Sequence, residues 1–434
     1  MPQSSRRVPG LAAVLGPALA LGWLAGACAA PRPAAPAPSP AAPAAPEIPE
    51  AAPAPDECVF RPAGPAGGDT VRVIAGREFP GRQLYETLVR RDCAGRERPG
   101  LAETWSSADG GRNWAFVLRP ARFWDGAPVT AGAVVSGWAE DSAASALLKQ
   151  AGIIFATAGS DGALHLLLAV PHDSAPAALG DPRLAVVRRV PDTPWPIGTG
   201  PYRLPESDPA PATLEPVDGG RPVRLLAPPR DLRDAMDAGA DILVTDDAGT
   251  LAYAAQRPGY TSLPLPWSRT YALVLATAAD SAAVVAPGFR DALARDAVRV
   301  DARAAAGASA PPACSAAPPV SSPPVRTTAP IAYSSADATA RDLAARLAAL
   351  GVAGARAILP LDQDALLSSL RAGREAAYVL ALPRTLALCQ DLVVPAGAAV
   401  LRLVDTRAHA LVRQGAPPIS VDWDGALRLL PETP

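Results

Sequence analysis

The chain has 434 residues, 49% of them apolar, which is enough to bury a sizeable core and to form two or more domains. The 40 Lys and Arg against 42 Asp and Glu leave a formal charge of −2 with no basic stripe of the kind that neutralises phosphates, so nucleic acid is not an expected partner. Lys149 and Asn113 are the single lysine and the single asparagine, whereas arginine, alanine and proline abound; this reads as the stamp of a GC-rich genome and carries little about function.

The first residues read as an export signal. Arg6 and Arg7 precede an apolar run from Leu11 to Ala25, and small residues follow up to Cys28. The run is short for a membrane span and Pro17 interrupts it, so a signal peptide over residues 1–27 is favoured over a retained anchor helix. Ala25-Gly26-Ala27-Cys28 resembles a lipobox, which makes Cys28 a candidate for lipidation. Ordinary cleavage after Ala27 or Ala29 is the alternative. Residues 28–56, rich in Ala and Pro, cannot make a core and favour extended polyproline geometry, a tether between a lipid anchor and the folded part.

If Cys28 is consumed by lipid, Cys58, Cys93, Cys314 and Cys389 remain, an even set suited to an oxidising compartment. Of the possible pairings, Cys58–Cys93 with Cys314–Cys389 is favoured because each pair lies within one stretch of chain. Four free thiols are the alternative.

Further along, Asp69–Ala75 alternates as a strand, and Gln83–Arg90 has helical spacing. Asn113–Leu118 alternates, Asp125-Gly126 marks a tight turn, and Thr130 caps a helix carrying Val134, Val135 and Trp138. Strands are expected at Gly152–Phe155, Ala163–Val170, Leu184–Val190, Asp241–Val244 and Tyr271–Leu275, with a short helix at Leu232–Met236. Phe289–Val298 reads as a helix, and Ala304–Pro330 as a Pro/Ser/Ala-rich loop. Strands at Ile331–Tyr333 and Arg356–Leu359 then alternate with helices at Ala338–Leu350 and Asp362–Arg371, the pattern of an α/β lobe. No later segment is long and apolar enough to cross a bilayer, and no internal repeat is present.

The stretch from Gln83 to Trp138 is the most informative. Leu84-Tyr85-Glu86, Pro99, Leu101-Ala102-Glu103, Trp105, Trp114, Phe116, Leu118, Phe123, Asp125-Gly126, Pro128 and Thr130-Ala131 fall in the order and spacing of the extracellular solute-binding proteins, family 5, the dipeptide, oligopeptide and nickel-binding class. Ile197–Tyr202 (IGTGPY) resembles the family's return strand; its two glycines permit unusual backbone angles. Asp234–Leu243, Phe289–Val298 and Ile331–Leu370 resemble later family segments.

The resemblance implies an α/β, two-lobed periplasmic-binding-protein-like clamshell of class II type, with mixed sheets, flanking helices and discontinuous lobes. Residues 57–85, 191–275 and 396–434 are expected to form the first lobe, 86–190 its small subdomain, and 276–395 the second lobe. It also implies the solute-binding component of an ABC importer: a monomer in the periplasm or on the outer cell surface, meeting the membrane only through its lipid anchor. Its partners would be an ABC permease complex and a small organic solute or short peptide. A degenerate relative serving as sensor or scaffold for a protein partner is the alternative.

Departures bear on the ligand. The family's acidic-aromatic segment, whose aspartate pairs with a peptide's amino terminus, is missing from Tyr378–Leu392, where Arg384 and Thr385 stand instead. Ala133 stands where the family usually has an aspartate, and Tyr271–Thr277 lacks its asparagine. Trp267, Arg269 and Tyr271 flank a lobe-crossing strand and are candidate ligand contacts; Arg384 would suit an anionic solute. Of Trp105, Trp114, Trp124 and Trp138, three are expected in the core.

His165, His172 and His409 do not cluster, so neither a metal nor a cofactor is expected. Asp422–Gly425 begins like a calcium loop but lacks the remaining ligands and reads as a hairpin turn. With no recognisable nucleophile–base set, the chain is not expected to be an enzyme.

Overall fold

The computed structural model describes residues 58–191, 193, 195–205, 212–275, 288–305, 330–384, 394 and 398–432. The export signal, Cys28, the tether, Cys314 and Cys389 lie outside them, as does nearly all of the loop expected at 304–330.

Residues 55–434 form one unit built on two large sheets. The first has seven strands in the order Tyr260–Pro264, His409–Arg413, Ile242–Thr245, Val71–Ile74, Val223–Leu225, Thr213–Pro216 and Tyr202–Arg203. Val71–Ile74 pairs in parallel with the strands on both sides, as expected of a buried apolar strand in an α/β lobe. The second has six strands in the order Ala302–Ala304, Ala399–Thr406, Arg269–Leu275, Ala377–Pro383, Ile331–Ser334 and Ile358–Leu361.

Helix Ala338–Ala349 carries the chain outward from Ile331–Ser334 to the edge strand Ile358–Leu361, and helix Gln363–Ala372 carries it back to Ala377–Pro383. Right-handed crossovers that run in opposite directions across a sheet place their helices on opposite faces. Accordingly Leu343 and Leu347 pack with Tyr271, Leu273 and Leu275, whereas Leu366 and Leu370 pack with Ala272 and Val274.

Between Leu88 and Val186 a separate core is gathered beneath a four-stranded antiparallel sheet of Ala102–Ala108, Asn113–Leu118, Leu164–Leu168 and Ile153–Ala158. Trp114 and Trp138 are buried in it, but Trp105 and Trp124 are only partly buried, so two of the four tryptophans, not three, are fully in the core. Thr130 caps helix Ala131–Glu140 by accepting from the amide of Ala133.

Several sequence-based boundaries are corrected. The helix expected at Gln83–Arg90 is displaced to Glu78–Leu84, and Val89–Arg91 is a strand. The carbonyls that a continued helix would use are taken by other parts of the chain: Leu84 accepts from Gly200, Thr87 from Leu101, and Leu88 from Gly100 and Ala102. No strand forms over Leu184–Val190 beyond one bridge from Arg188 to Ile197; Val186 instead donates singly to the carbonyl of Glu86. Tyr271–Leu275 and Ala399–Thr406, assigned from sequence to the first lobe, pair within the second sheet, because Arg269–Leu275 is flanked there on both sides.

Gly198 and Gly200 are not in the left-handed region. They are required by close approach: a Cβ on Gly198 would stand 2.2 Å from the carbonyl oxygen of Leu84, and one on Gly200 2.2 Å from that of Gln83.

Candidate ligand-binding cleft

The chain passes between the two large sheets at Leu265–Ser268 and again at Arg407–Ala408. Beside these connections lies a cleft of about 990 Å³. The first lobe contributes Asp246, Asp247 and Gly249, which follow the end of strand Ile242–Thr245 and open helix Ala248–Ala254. The second lobe contributes Asp337, Thr339, Arg341 and Asp342 from the start of helix Ala338–Ala349, with Arg299 at the rim. Arg269, Tyr271 and Leu382 form the floor from two paired strands of the second sheet. Both acidic corners lie where a parallel strand ends and a helix begins, the position at which open α/β sheets place their ligands.

The polar groups are interlocked. Tyr271, buried on the sheet face, places its hydroxyl 3.0 Å from Oδ2 of Asp337, which also caps its helix through the amide of Ala340 at 2.8 Å. Burial, then the neighbouring Asp337 carboxylate, pushes the Tyr271 phenol well above its ordinary range, so it stays a donor at neutral pH. Arg269 Nη1 lies 2.9 Å from Asp246 Oδ2, joining the two lobes. Asp247 accepts from the amide and the hydroxyl of Thr250, and these bonds hold its carboxyl below the usual range. Asp342 takes Arg341 at 3.0 Å and Arg299 at 3.4 Å.

Of the four residues read from sequence as ligand contacts, Arg269 and Tyr271 line this cleft. Trp267 and Arg384 do not. Trp267 stacks between the guanidiniums of Arg303 and Arg407, 4.5 and 4.6 Å from its ring, and borders a smaller pocket beside Cys58 and Cys93. Arg384 pairs at 3.3 Å with Asp405, which is buried and also accepts from Thr270. Its charge is therefore engaged by its own lobe.

Asp246 and Asp337 were missed. Asp337 carried a signal, an aspartate directly before an apolar-periodic helix; Asp246 carried none, since its partner follows 23 residues later with no pattern between them.

Cys58 and Cys93 are joined by a disulfide. His165 meets Asp161, His172 meets Ser174, and His409 meets Asp301 and Ser262. Among the described residues no three His, Cys, Asp or Glu are grouped to hold a metal ion, and no helix is long and apolar enough to cross a membrane.

Residues 97–219 match the model of the family described as bacterial extracellular solute-binding proteins, family 5 Middle. The probable deoxycholate-binding periplasmic protein YgiS of Escherichia coli K12 is 45% identical over 56 residues, 13% of this chain and 10% of that protein. The periplasmic oligopeptide-binding protein OppA of the same bacterium is 43% identical over 58 residues, again 13% and 10%. The chain thus matches only 10% of the length of these curated relatives.

Solved structures extend the likeness over most of the folded part. NikA from Brucella suis, in complex with Fe(III)-EDTA, has a TM-score of 0.63 at 16% identity, covering 84% of this chain and all of that one. OppA from Haemophilus influenzae, in complex with a peptide, has a TM-score of 0.57 at 13% identity, covering 84% and 99%. The fold is that of the two-lobed periplasmic binding proteins, and the resemblance to family 5 read from the sequence is borne out over residues 97–219. Both curated relatives are named as binding proteins.

Proposed function

We propose that this chain is the solute-binding component of an ABC importer, capturing a small organic solute or short peptide outside the cytoplasm and delivering it to a permease. The observation that carries this reading is the cleft beside the two lobe connections, into which charged groups converge from both lobes. A clamp of this kind needs crossing segments, a cleft that can exclude water, and no bond-making chemistry. The same observation favours capture of a solute over a scaffold role, for which a collapsed or apolar-filled cleft would be expected.

Membrane attachment belongs to the proposal: a lipid on Cys28, behind a cleaved signal peptide, would tether the folded part through the Ala/Pro-rich segment. Cys314 and Cys389 would form a second disulfide. The functional test is mass spectrometry of what co-purifies under non-denaturing conditions, followed by a thermal-shift screen of peptides, sugars, amines and carboxylates. A ligand at a hundred times its dissociation constant stabilises by about 2.7 kcal/mol, a readily measured shift. A screen in which nothing co-purifies and no compound raises the melting temperature refutes the proposal. For the anchor, Cys28→Ala should move the protein from the membrane to the soluble fraction; unchanged membrane association refutes lipidation.

A further inference from the structure

We infer that the cleft accepts a solute bearing a carboxylate, with Arg269 as its anchor and Asp246 holding the carboxylate's place while the cleft is empty; this rests on the solute-binding reading above. Among the described cleft residues, three of the four carboxylates are engaged inside their own lobe. Asp247 is bound to Thr250, Asp337 to the Ala340 amide and Tyr271, and Asp342 to Arg341 and Arg299. Asp246 alone reaches across, to Arg269.

The two members of that pair are not held alike. Arg269 opens a strand paired on both sides, opposite Pro383 and Thr406, and is followed two residues later by Tyr271, itself pinned by Asp337. Asp246 lies in the short link between strand Ile242–Thr245 and helix Ala248–Ala254. The cation's backbone is therefore held on both sides, whereas the anion's lies in a link outside the sheet pairing. Their contact uses one guanidinium nitrogen and one carboxylate oxygen, and both side chains are about half exposed, at 47% and 50%. Such a pair is cheap to break, and a planar guanidinium has donors in hand for a bidentate carboxylate.

The alternative, in which a cationic solute takes Asp246 and displaces Arg269, predicts the opposite response to substitution. The probes are dicarboxylates of five to ten carbons with their matching diamides and diamines. Each is titrated by calorimetry and thermal shift into wild type, Asp246→Asn and Arg269→Ala, with circular dichroism to confirm folding. Removing the internal competitor should tighten dicarboxylate binding by about two- to fivefold in Asp246→Asn, and Arg269→Ala should lose it. The inference is overturned if diamines bind wild type and not Asp246→Asn, if Arg269→Ala binds dicarboxylates as wild type does, or if no dicarboxylate binds wild type or Asp246→Asn. Binding of neutral or cationic solutes in those cases leaves the solute-binding reading standing; absence of binding by every class in the wider screen removes both.

Discussion

Asp422 is the residue whose role the sequence least betrayed. In Asp422-Trp423-Asp424-Gly425 it belongs to a hairpin turn between strands Ile419–Val421 and Leu427–Leu429, as its local pattern suggests. It is also a buried anion, 1% exposed, that meets Arg82 at 3.1 Å and Arg428 at 2.8 Å. Arg82 lies 340 positions away, and no local pattern announces a partner at that distance. Removing one member of a buried pair leaves the others uncompensated, so Asp422→Ala should cost about 3–5 kcal/mol by urea unfolding. Asp424, 29% exposed beside the same Arg82, should cost under about 1 kcal/mol on the same substitution. Equal costs would mean that burial does not govern this cluster. Asp301 offers a test through pH. Burial would raise its pKa, but the Arg407 and His409 side chains outweigh it and the carboxyl sits below its ordinary value. A group depressed in the folded state stabilises above the unfolded pKa and loses that contribution as pH falls through the folded one. Asp301→Asn should therefore lower the melting temperature at pH 7 and converge on wild type below about pH 4. A deficit unchanged at pH 3 would show that the charge is not what matters there.

At the scale of elements, the helices and strands with a long, clean period were legible, and those shaped by distant chain were not. Ala131–Glu140, Ala338–Ala349 and Gln363–Ala372 lie where the apolar spacing and the capping residues put them. Gln83–Arg90 has the same spacing, yet the carbonyls of Leu84, Thr87 and Leu88 bond to Gly200, Leu101 and Gly100, so tertiary partners override local propensity. The glycines of Ile197–Tyr202 were legible as a motif but not as a cause, because the Leu84 and Gln83 backbones that forbid a side chain there are more than 100 residues earlier. The chain just after strand Val89–Arg91 is stapled. Cys58 and Cys93, 35 residues apart, tie the short strand Val59–Phe60 to the turn that Asp92 organises by accepting from Ala94, Arg96 and Arg98. On the chain-entropy account, closing a loop of that length stabilises by about 4 kcal/mol. The double variant Cys58→Ser/Cys93→Ser should accordingly lower the unfolding free energy by several kcal/mol in non-reducing buffer. A variant as stable as wild type would mean that the thiols are not paired in solution.

For the whole molecule, the sequence conveyed two lobes and a crossing strand, through a family signature concentrated between Gln83 and Trp138, and it conveyed Arg269 and Tyr271 of the cleft floor but not Leu382. It did not separate Arg269 and Tyr271 from Trp267 and Arg384, because successive side chains of a strand face opposite sides: Arg269 and Tyr271 line the cleft, whereas Thr270 between them turns to the buried Asp405, the carboxylate that Arg384 also meets. The surroundings of Trp267 bear on motion. It lies in one connection between the sheets; Arg407, whose guanidinium lies over the indole, is in the other; and Arg303, whose guanidinium also lies over it, comes from the second sheet's edge. Asp301 then bridges Arg407 to His409 of the first sheet, at 2.8 and 3.1 Å. A swing of the lobes would slide these contacts, each stack being worth about 0.5–2 kcal/mol, which predicts that the indole limits opening. Trp267→Ala should leave the cleft residues in place while allowing wider excursions. Small-angle scattering of the ligand-free variant should then give a larger radius of gyration than wild type, and a bound solute should restore the wild-type value by holding the lobes together. An identical radius in the ligand-free pair would assign Trp267 to packing alone and leave the limit on opening to the Asp301 bridge.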